Sequence, residues 1–500
     1  MSITGPGSLT ASNLLAQNNI MTQLNTLSQQ LGTGEAATTY SGLGSQAGIA
    51  LQLSAQLAAI NGYSSTANDV STTLQVAQTV LNQLSGASND VQQAISQQGA
   101  FTLDNNGQTT TQTAAASYFD QIVSLLNTQV GGTYLFSGSA VTDPSVASTN
   151  AILYGNGSQA GLTQVMAARL QADEGTNGLG RLNAPTLAGT TVTLAQQNAG
   201  SPFGFQLAGI SSTIAGANVT GPSGSPPSVS VDLTSNPTGG DVTFDFTLPD
   251  GSSQTITLQA TTASPPGANQ FTIGATAADT ATNLQTALNT AVTNLAQTAL
   301  PAASAIAAAN NFFSDPPQVV SGTPATATSL TDGTSANTVF WYTGENGSTP
   351  ASQTAVAQVG PSETIAYGMR ATEPAIASLL ANVAVLAVSS YSPSDPNAQA
   401  SYQALCQSVQ QNLSGQPGTQ TISDIAANLA SAQTSISNAT TLNTQTQNTL
   451  QDLLQGIEGV NQNQIGEDIL TLQNNLSASM SVTARLAQMS LVNYLAPVSG

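Results

Sequence analysis

Apolar residues recur at steps of three and four toward both ends of this chain and at steps of two through its middle. Near the N-terminus, Ile20, Met21, Leu24, Leu27 and Leu31 mark one face of a helix. A glycine-bearing break, GTGEAATTYSGLGS, follows. A longer series then runs through Leu53, Leu57, Ile60, Tyr63, Ala67, Val70, Leu74, Ala77, Leu81 and Leu84, and Val91 and Ile95 extend it. Three–four spacing held over several heptads is the signature of a coiled-coil seam. Another amphipathic helix is predicted over 112–130, through Tyr118, Phe119, Ile122, Leu125 and Leu126. The C-terminal part mirrors this. Leu429, Ala432, Ile436, Ala439, Asn443, Thr446, Leu450, Leu453, Ile457 and Val460 form one series; Ile465, Ile469, Leu472, Leu476, Met480 and Leu486 form the next. Asn443 and Thr446 are polar seam positions, which weaken a coil and set its register.

The middle alternates instead. Val229, Val231 and Leu233 predict a strand, as do Val242, Phe244, Phe246 and Leu248; the turn LPDG then leads to Ile256 and Leu258. FTIG (Phe271–Gly274) reads as another short strand, and Ala277–Leu295 as a helix. TYLFSG (Thr133–Gly138) and VFWYTG (Val339–Gly344) are predicted as short strands. The second leads into the turn GENG, so it is expected to form a hairpin whose aromatic residues pack on the coil. Long helices with a thin apolar stripe need a partner helix. The simplest partner for the N-terminal helices is the C-terminal set. The expected fold is therefore α+β: an elongated coiled-coil helical rod made by the N- and C-terminal helices, with an inserted β-rich outer domain. The segments expected are 1–50 and 51–190 for the N-terminal helices and hairpin, 191–330 for the outer domain, 331–425 for the return, and 426–500 for the C-terminal helices.

Composition sharpens this picture. Only 6% of the 500 residues are charged, against roughly a quarter in ordinary soluble proteins. The formal charge is −20; the four cations are Arg169, Arg181, Arg370 and Arg485, with no lysine and no histidine. Scattered arginines cannot track a phosphate backbone, so neither nucleic acid nor a membrane is expected as a partner. A weakly charged polar surface suits dense packing of copies against one another. Cys406 stands alone and is expected to be a buried small apolar residue. The first residues, MSITGPGSLTASNLL, lack the basic and apolar segments of a secretory signal, and no apolar run of about eighteen residues predicts a membrane span. Export, if it occurs, is expected to use another machine.

The residue inventory excludes most catalytic chemistry. Without histidine there is no Ser-His-Asp triad or Cys-His pair, and without lysine no phosphate-binding GxxxxGK[ST] loop. Carboxylate pairs remain: Asp173/Glu174, Asp241/Asp245 and Glu467/Asp468. Each is read as a solvated structural face, and no cofactor or metal is expected. Arg370 in YGMRATEPAI is expected to pair with Glu373. One feature resists such readings. RLAQMSLVNYL (Arg485–Leu495) carries Leu486, Met489, Leu491, Val492, Tyr494 and Leu495 beside one charge. Such a stripe needs a cover.

Several segments together resemble the bacterial flagellin family, which includes filament flagellins and the hook-associated protein joining hook to filament. IGEDILTLQNNLSASMSVTARLAQMSLVNYL (Ile465–Leu495) resembles the family's terminal helix. LNTLSQQLGTGEAATTYSGLG (Leu24–Gly44) sits where flagellins carry a helix, a break and a spoke, without the charges usual there. GGTYLFSGSAVTDPSV (Gly131–Val146), and VFWYTGENG with ETIAYGMRATEPAI (Glu363–Ile376), resemble segments of the junction protein and its relatives. The resemblance implies a non-enzymatic structural subunit, exported unfolded by the flagellar type III apparatus and extracellular in the flagellum. It implies terminal helices that fold against neighbouring subunits, which would cover the Arg485–Leu495 stripe. The interface residues it implies are Ile20, Leu24, Leu27, Leu31, Leu472, Leu476, Leu486, Met489, Leu491, Val492 and Leu495. Implied partners are copies of itself, other axial flagellar proteins (hook-associated proteins and flagellin) and a flagellar export chaperone. The alternative reading is a secreted surface adhesin or glycan-binding protein acting through the insert.

Overall fold

The computed structural model describes residues 6–494 apart from Gln98, Ser348 and Gln416, with side chains from Ala11 to Gln488 apart from Ser352. The chain begins with helices α1 (Pro6–Thr33), α2 (Ala47–Ser96) and α3 (Thr110–Leu126), then a tight hairpin of β1 (Gln129–Val130) and β2 (Thr133–Tyr134). Short helix α4 (Thr149–Tyr154) and α5 (Leu162–Glu174) precede eight strands: β3 (Thr186–Ala188), β4 (Thr191–Ala195), β5 (Gln206–Ser212), β6 (Ala217–Ser223), β7 (Ser228–Leu233), β8 (Asp241–Thr247), β9 (Ser253–Thr261) and β10 (Gln270–Thr272). Helix α6 (Ala277–Phe312) follows, with β11 (Gln318–Val320), β12 (Leu330–Asp332), α7 (Ala351–Thr354), β13 (Val356–Gln358) and β14 (Thr364–Ala366) after it. Four helices close the chain: α8 (Pro374–Val388), α9 (Ala398–Leu413), α10 (Ile422–Glu458) and α11 (Gln462–Tyr494). Long helices at both ends with a β-rich insertion between them make this an α+β protein.

The chain divides into two compact units. The smaller comprises the described residues up to Val70, Ala357–Ile365, and those from Thr434 onward; the larger comprises Ser71–Val356 and Ala366–Gln433. In the smaller unit the seam of α2 buries Ile60, Ala67 and Val70, while Leu53, Leu57 and Tyr63 are half-buried. On α10 it buries Ile436, Ala439, Asn443 and Leu450. The expected seam residue Leu453 is instead 53% exposed, and Leu454 takes its place half-buried. A helix of 3.6 residues per turn drifts against a strict heptad, and one step of four after Leu450 absorbs the drift. Asn443 sits 3% exposed, and its Nδ2 donates to the carbonyl of Val359 at 2.9 Å. The polar seam position therefore fastens the Ala357–Ile365 hairpin to α10.

In the larger unit the α2 stripe continues, fully buried, through Leu74, Ala77, Leu81, Leu84, Val91 and Ile95. Gln433 Nε2 donates to Ser71 Oγ at 2.8 Å, so α10 and α2 lie side by side there. The insertion folds as two four-stranded sheets, ordered β3-β4-β7-β6 and β10-β9-β8-β5. Period-two alternation aims Val229, Val231 and Leu233 of β7, and Val242, Phe244 and Phe246 of β8, into one core with Ile256 and Leu258 of β9. Helix α6 supplies the other side of that core through Ala281, Leu284, Leu288, Val292, Ala296 and Leu300. The LPDG turn closes as expected: Gly251 N donates to Leu248 O at 2.9 Å, and Asp250 Oδ1 accepts from Ser252 N at 3.0 Å. Strand β10 contains the predicted Phe271, and it pairs parallel to β9 after the crossover loop at 262–269.

Two sequence expectations are corrected. Helix α6 does not stop near Leu295 but runs on through Pro301 to Phe312. The run PAASAIAAANNF is alanine-rich, and alanine is the strongest helix former. Proline removes the amide that would reach Gln297, and Ser401 Oγ donates to that Gln297 carbonyl at 2.9 Å instead. VFWYTG forms no hairpin. Thr338 bridges in parallel to Ala160, and Tyr342 bridges antiparallel to Val146. Trp341 is fully buried; its indole donates to Ser314 O at 3.1 Å and its ring lies 5.3 Å from Phe313, at the end of α6. Trp341 and Tyr342 are held by long-range partners rather than by their own turn.

Candidate assembly interface

Helices α1 and α11 pack against each other in the smaller unit. They run antiparallel: Gln17 Nε2 donates to Thr483 Oγ1 at 3.0 Å, while Gly34 lies beside Val460 at the other end. Ile20, Leu24 and Leu27 of α1 are half-buried along this seam, as are Leu472, Leu476 and Leu486 of α11. Leu31 is 39% exposed. Met489, Leu491 and Val492 lie in the last turns of α11, where side chains are outside the described residues, and Leu495 lies outside them altogether. None of these seven described residues is as buried as Ile60, Ala67 or Val70 of α2. A lone pair of helices can cover only one strip of each partner.

Further apolar residues face solvent. Leu14, Leu15 and Met21 of α1 are 55%, 66% and 46% exposed; Leu470, Met480 and Val482 of α11 are 62%, 49% and 51% exposed. Met480, read from sequence as a seam residue, belongs to this exposed set. Leu14, Leu15, Leu470 and Val482 fall off the three–four seam, so periodicity gave no signal for them. No charged residue occurs anywhere in α1. Covering each half-exposed side chain is worth roughly 1 kcal/mol, and no charge on α1 opposes it.

Both helices of the pair are interrupted at the same level. Ala36 N donates to Glu458 O at 2.6 Å, and Val460 N donates to Gly34 O at 3.1 Å, forming a two-residue bridge between Glu35 and Gly459. The orphan backbone groups of one break thus satisfy those of the other. The turn Tyr40–Gln46 then leads into α2, and Tyr40 Oη lies 3.2 Å from Ser54 Oγ.

The carboxylate pairs do not converge on a reactive centre. Asp173 is buried and bound by Arg169 Nε at 2.8 Å and by Gly204 N at 2.9 Å. Burial pushes its carboxyl up, against the pull of Arg169; Glu174 is also raised by burial and by Asp173 beside it. Asp245 Oδ1 accepts from Thr255 Oγ1 at 3.0 Å on the open face of β8, and Glu467 and Asp468 are exposed on α11. A groove of about 360 Å³ is lined mostly by neutral side chains such as Asn89, Gln92, Asn382 and Asn412; its one carboxylate, Asp250, belongs to none of these pairs. The expected Arg370–Glu373 pair does not form. Arg370 reaches Glu345 at 2.9 Å, and Glu373 accepts from Gln420 Nε2 at 2.9 Å instead. Glu345 is the better-prepared partner, because Ser139 N and Thr354 Oγ1 already hold its Oε2 at 2.9 and 2.8 Å.

Residues 7–141, from α1 through the β1–β2 hairpin, match the family model of the bacterial flagellin N-terminal helical region. Over that stretch, about a quarter of its length, the chain is similar to bacterial flagellins. No curated protein matches it. Flagellins are structural proteins that assemble into extracellular flagellar filaments, and the matched stretch includes α1, which leaves Leu14, Leu15 and Met21 uncovered. Among the described residues, no helix is long and apolar enough to cross a membrane.

Proposed function

We propose that this flagellar structural subunit self-assembles through the α1–α11 pair, as filament flagellin or as the hook–filament junction protein. One observation carries the reading: a charge-free α1 and its partner α11 expose Leu14, Leu15, Met21, Leu470, Met480 and Val482, which a free subunit has no means to cover. Neighbouring copies or adjoining axial proteins, whether hook-associated proteins or flagellin, bury this surface, and a non-closing contact repeats into a helical polymer. Before assembly the same helices need a holder, which assigns an export chaperone as a transient partner. The β-rich insertion has its own core. The protein reaches its site by flagellar export and acts outside the cell.

Leu476→Asp places a charge in the α1–α11 seam. It should abolish incorporation into flagella while the insertion keeps its thermal transition; normal incorporation of the mutant sinks the interface. Immunogold labelling with antibody against residues 190–330 then separates the two roles. Label along the filament identifies flagellin, and label at a single spot beyond the hook identifies the junction protein. Cells whose flagella carry no label remove the proposal and bring the adhesin reading forward.

A further inference from the structure

A protease with a carboxylate at the base of its specificity pocket needs an extended Lys or Arg side chain, together with a stretch of backbone it can draw into its cleft. This chain offers four candidates, Arg169, Arg181, Arg370 and Arg485, and no lysine. Three of the four are buried, with 3%, 4% and 7% of their surfaces exposed. Arg169 is paired with Asp173 and donates from Nη2 to Pro202 O at 3.0 Å. Arg181 donates to Ala172 O and, at 3.2 Å, to Pro324 O. Both guanidinium groups pack over the ring of Phe203, 5.0 and 5.8 Å from its centroid. Gly204 closes the stack at φ +71°, where an added Cβ would stand 2.4 Å from Gly180 O. Arg370 is held by Glu345 and by Gly347 O at 2.9 Å each. Each of these side chains joins passes of the chain far apart in sequence, so presenting one to a protease means unfolding the larger unit around it.

Arg485 differs. It is exposed on α11, near the end of a helix that packs chiefly on α1 among the described residues. We infer that the folded chain is refractory to Lys/Arg-directed proteases except at one bond, Arg485–Leu486. Hydrolysis there adds water across that single amide and releases Leu486–Gly500, which carries Met489, Leu491, Val492 and Leu495. The chain outside that segment stays intact because its surface lacks the residue type such proteases require, not because its loops are rigid. The cleavage pattern stands independently of the proposed function; only the loss of assembly on cleavage rests on it.

Trypsin added to the full-length folded chain at neutral pH, with intact-mass spectrometry over time, tests this. The expected products are uncut chain, residues 1–485 and the released C-terminal peptide, with cleavage after Arg169, Arg181 or Arg370 roughly a hundredfold slower. An Ala268→Lys variant, altered in the exposed loop at 262–269, should be cut there as fast as at Arg485 or faster. Early fragments ending at Arg169, Arg181 or Arg370 from a chain with native circular dichroism overturn the inference. So does a chain uncut after Arg485 while the Lys variant is cut. An uncut Lys variant overturns it as well, since the resistance then belongs to the backbone.

Discussion

With so few charges, each buried one has a defined task. Glu345 illustrates this. Burial alone would raise its carboxyl, but the Ser139 amide, the Arg370 guanidinium and the Thr354 hydroxyl hold it down at about 2. A carboxyl depressed on folding adds stability above its unfolded value near 4.5 and loses it as pH falls through the folded value. The thermal midpoint should therefore drop between about pH 4.5 and pH 2, and Glu345→Gln should be less stable at pH 7 and show a shallower acid slope. Circular dichroism melts at stepped pH check both, and a mutant with the wild-type slope removes Glu345 from the account. Asn443 is the uncharged counterpart. Asn443→Leu adds apolar area but strips the Val359 carbonyl of its donor, so about 1 kcal/mol of stability should be lost rather than gained. Urea unfolding, with hydrogen exchange in the Ala357–Ile365 hairpin, reads that outcome.

At the level of elements, helix α6 shows how an apparent defect is absorbed. Pro301 leaves the Gln297 carbonyl free, and Ser401 at the start of α9 fills the vacancy. The two residues should therefore be coupled. Ser401→Ala alone should cost about 1 kcal/mol, whereas in a Pro301→Ala background, which restores the amide, it should cost under about 0.5 kcal/mol. A double-mutant cycle measured by urea unfolding checks this, and additive costs would show that the serine does not serve the proline. Helix α8 makes a related point. Its run PAIASLLANVAVLAV is almost wholly apolar, and it is buried from Leu379 through Ala387 among α3, α6 and α9. Its one buried amide, Asn382, is satisfied by Ser378 O and by Asn412 Nδ2. The seam periods of α2 and α10 were readable in advance because burial on one face repeats locally. The extension of α6 was not, since its support comes from α9, a hundred residues away.

For the whole molecule, the apolar pattern alone determined that long helices at both ends bracket a β-rich insertion, and the terminal motifs pointed to flagellins. It determined the seams, the inward strand faces of β7 to β9 and the LPDG turn, because each follows from the chain's own period and turn chemistry. Tertiary structure decided the rest: that Arg370 meets Glu345 rather than Glu373, that Trp341 packs on Phe313 instead of in a hairpin, and that three of four arginines are withdrawn from the surface. These choices depend on residues distant in sequence. A charge, an indole or a free carbonyl takes whichever buried partner the fold brings near, and local spacing carries no record of which one that is.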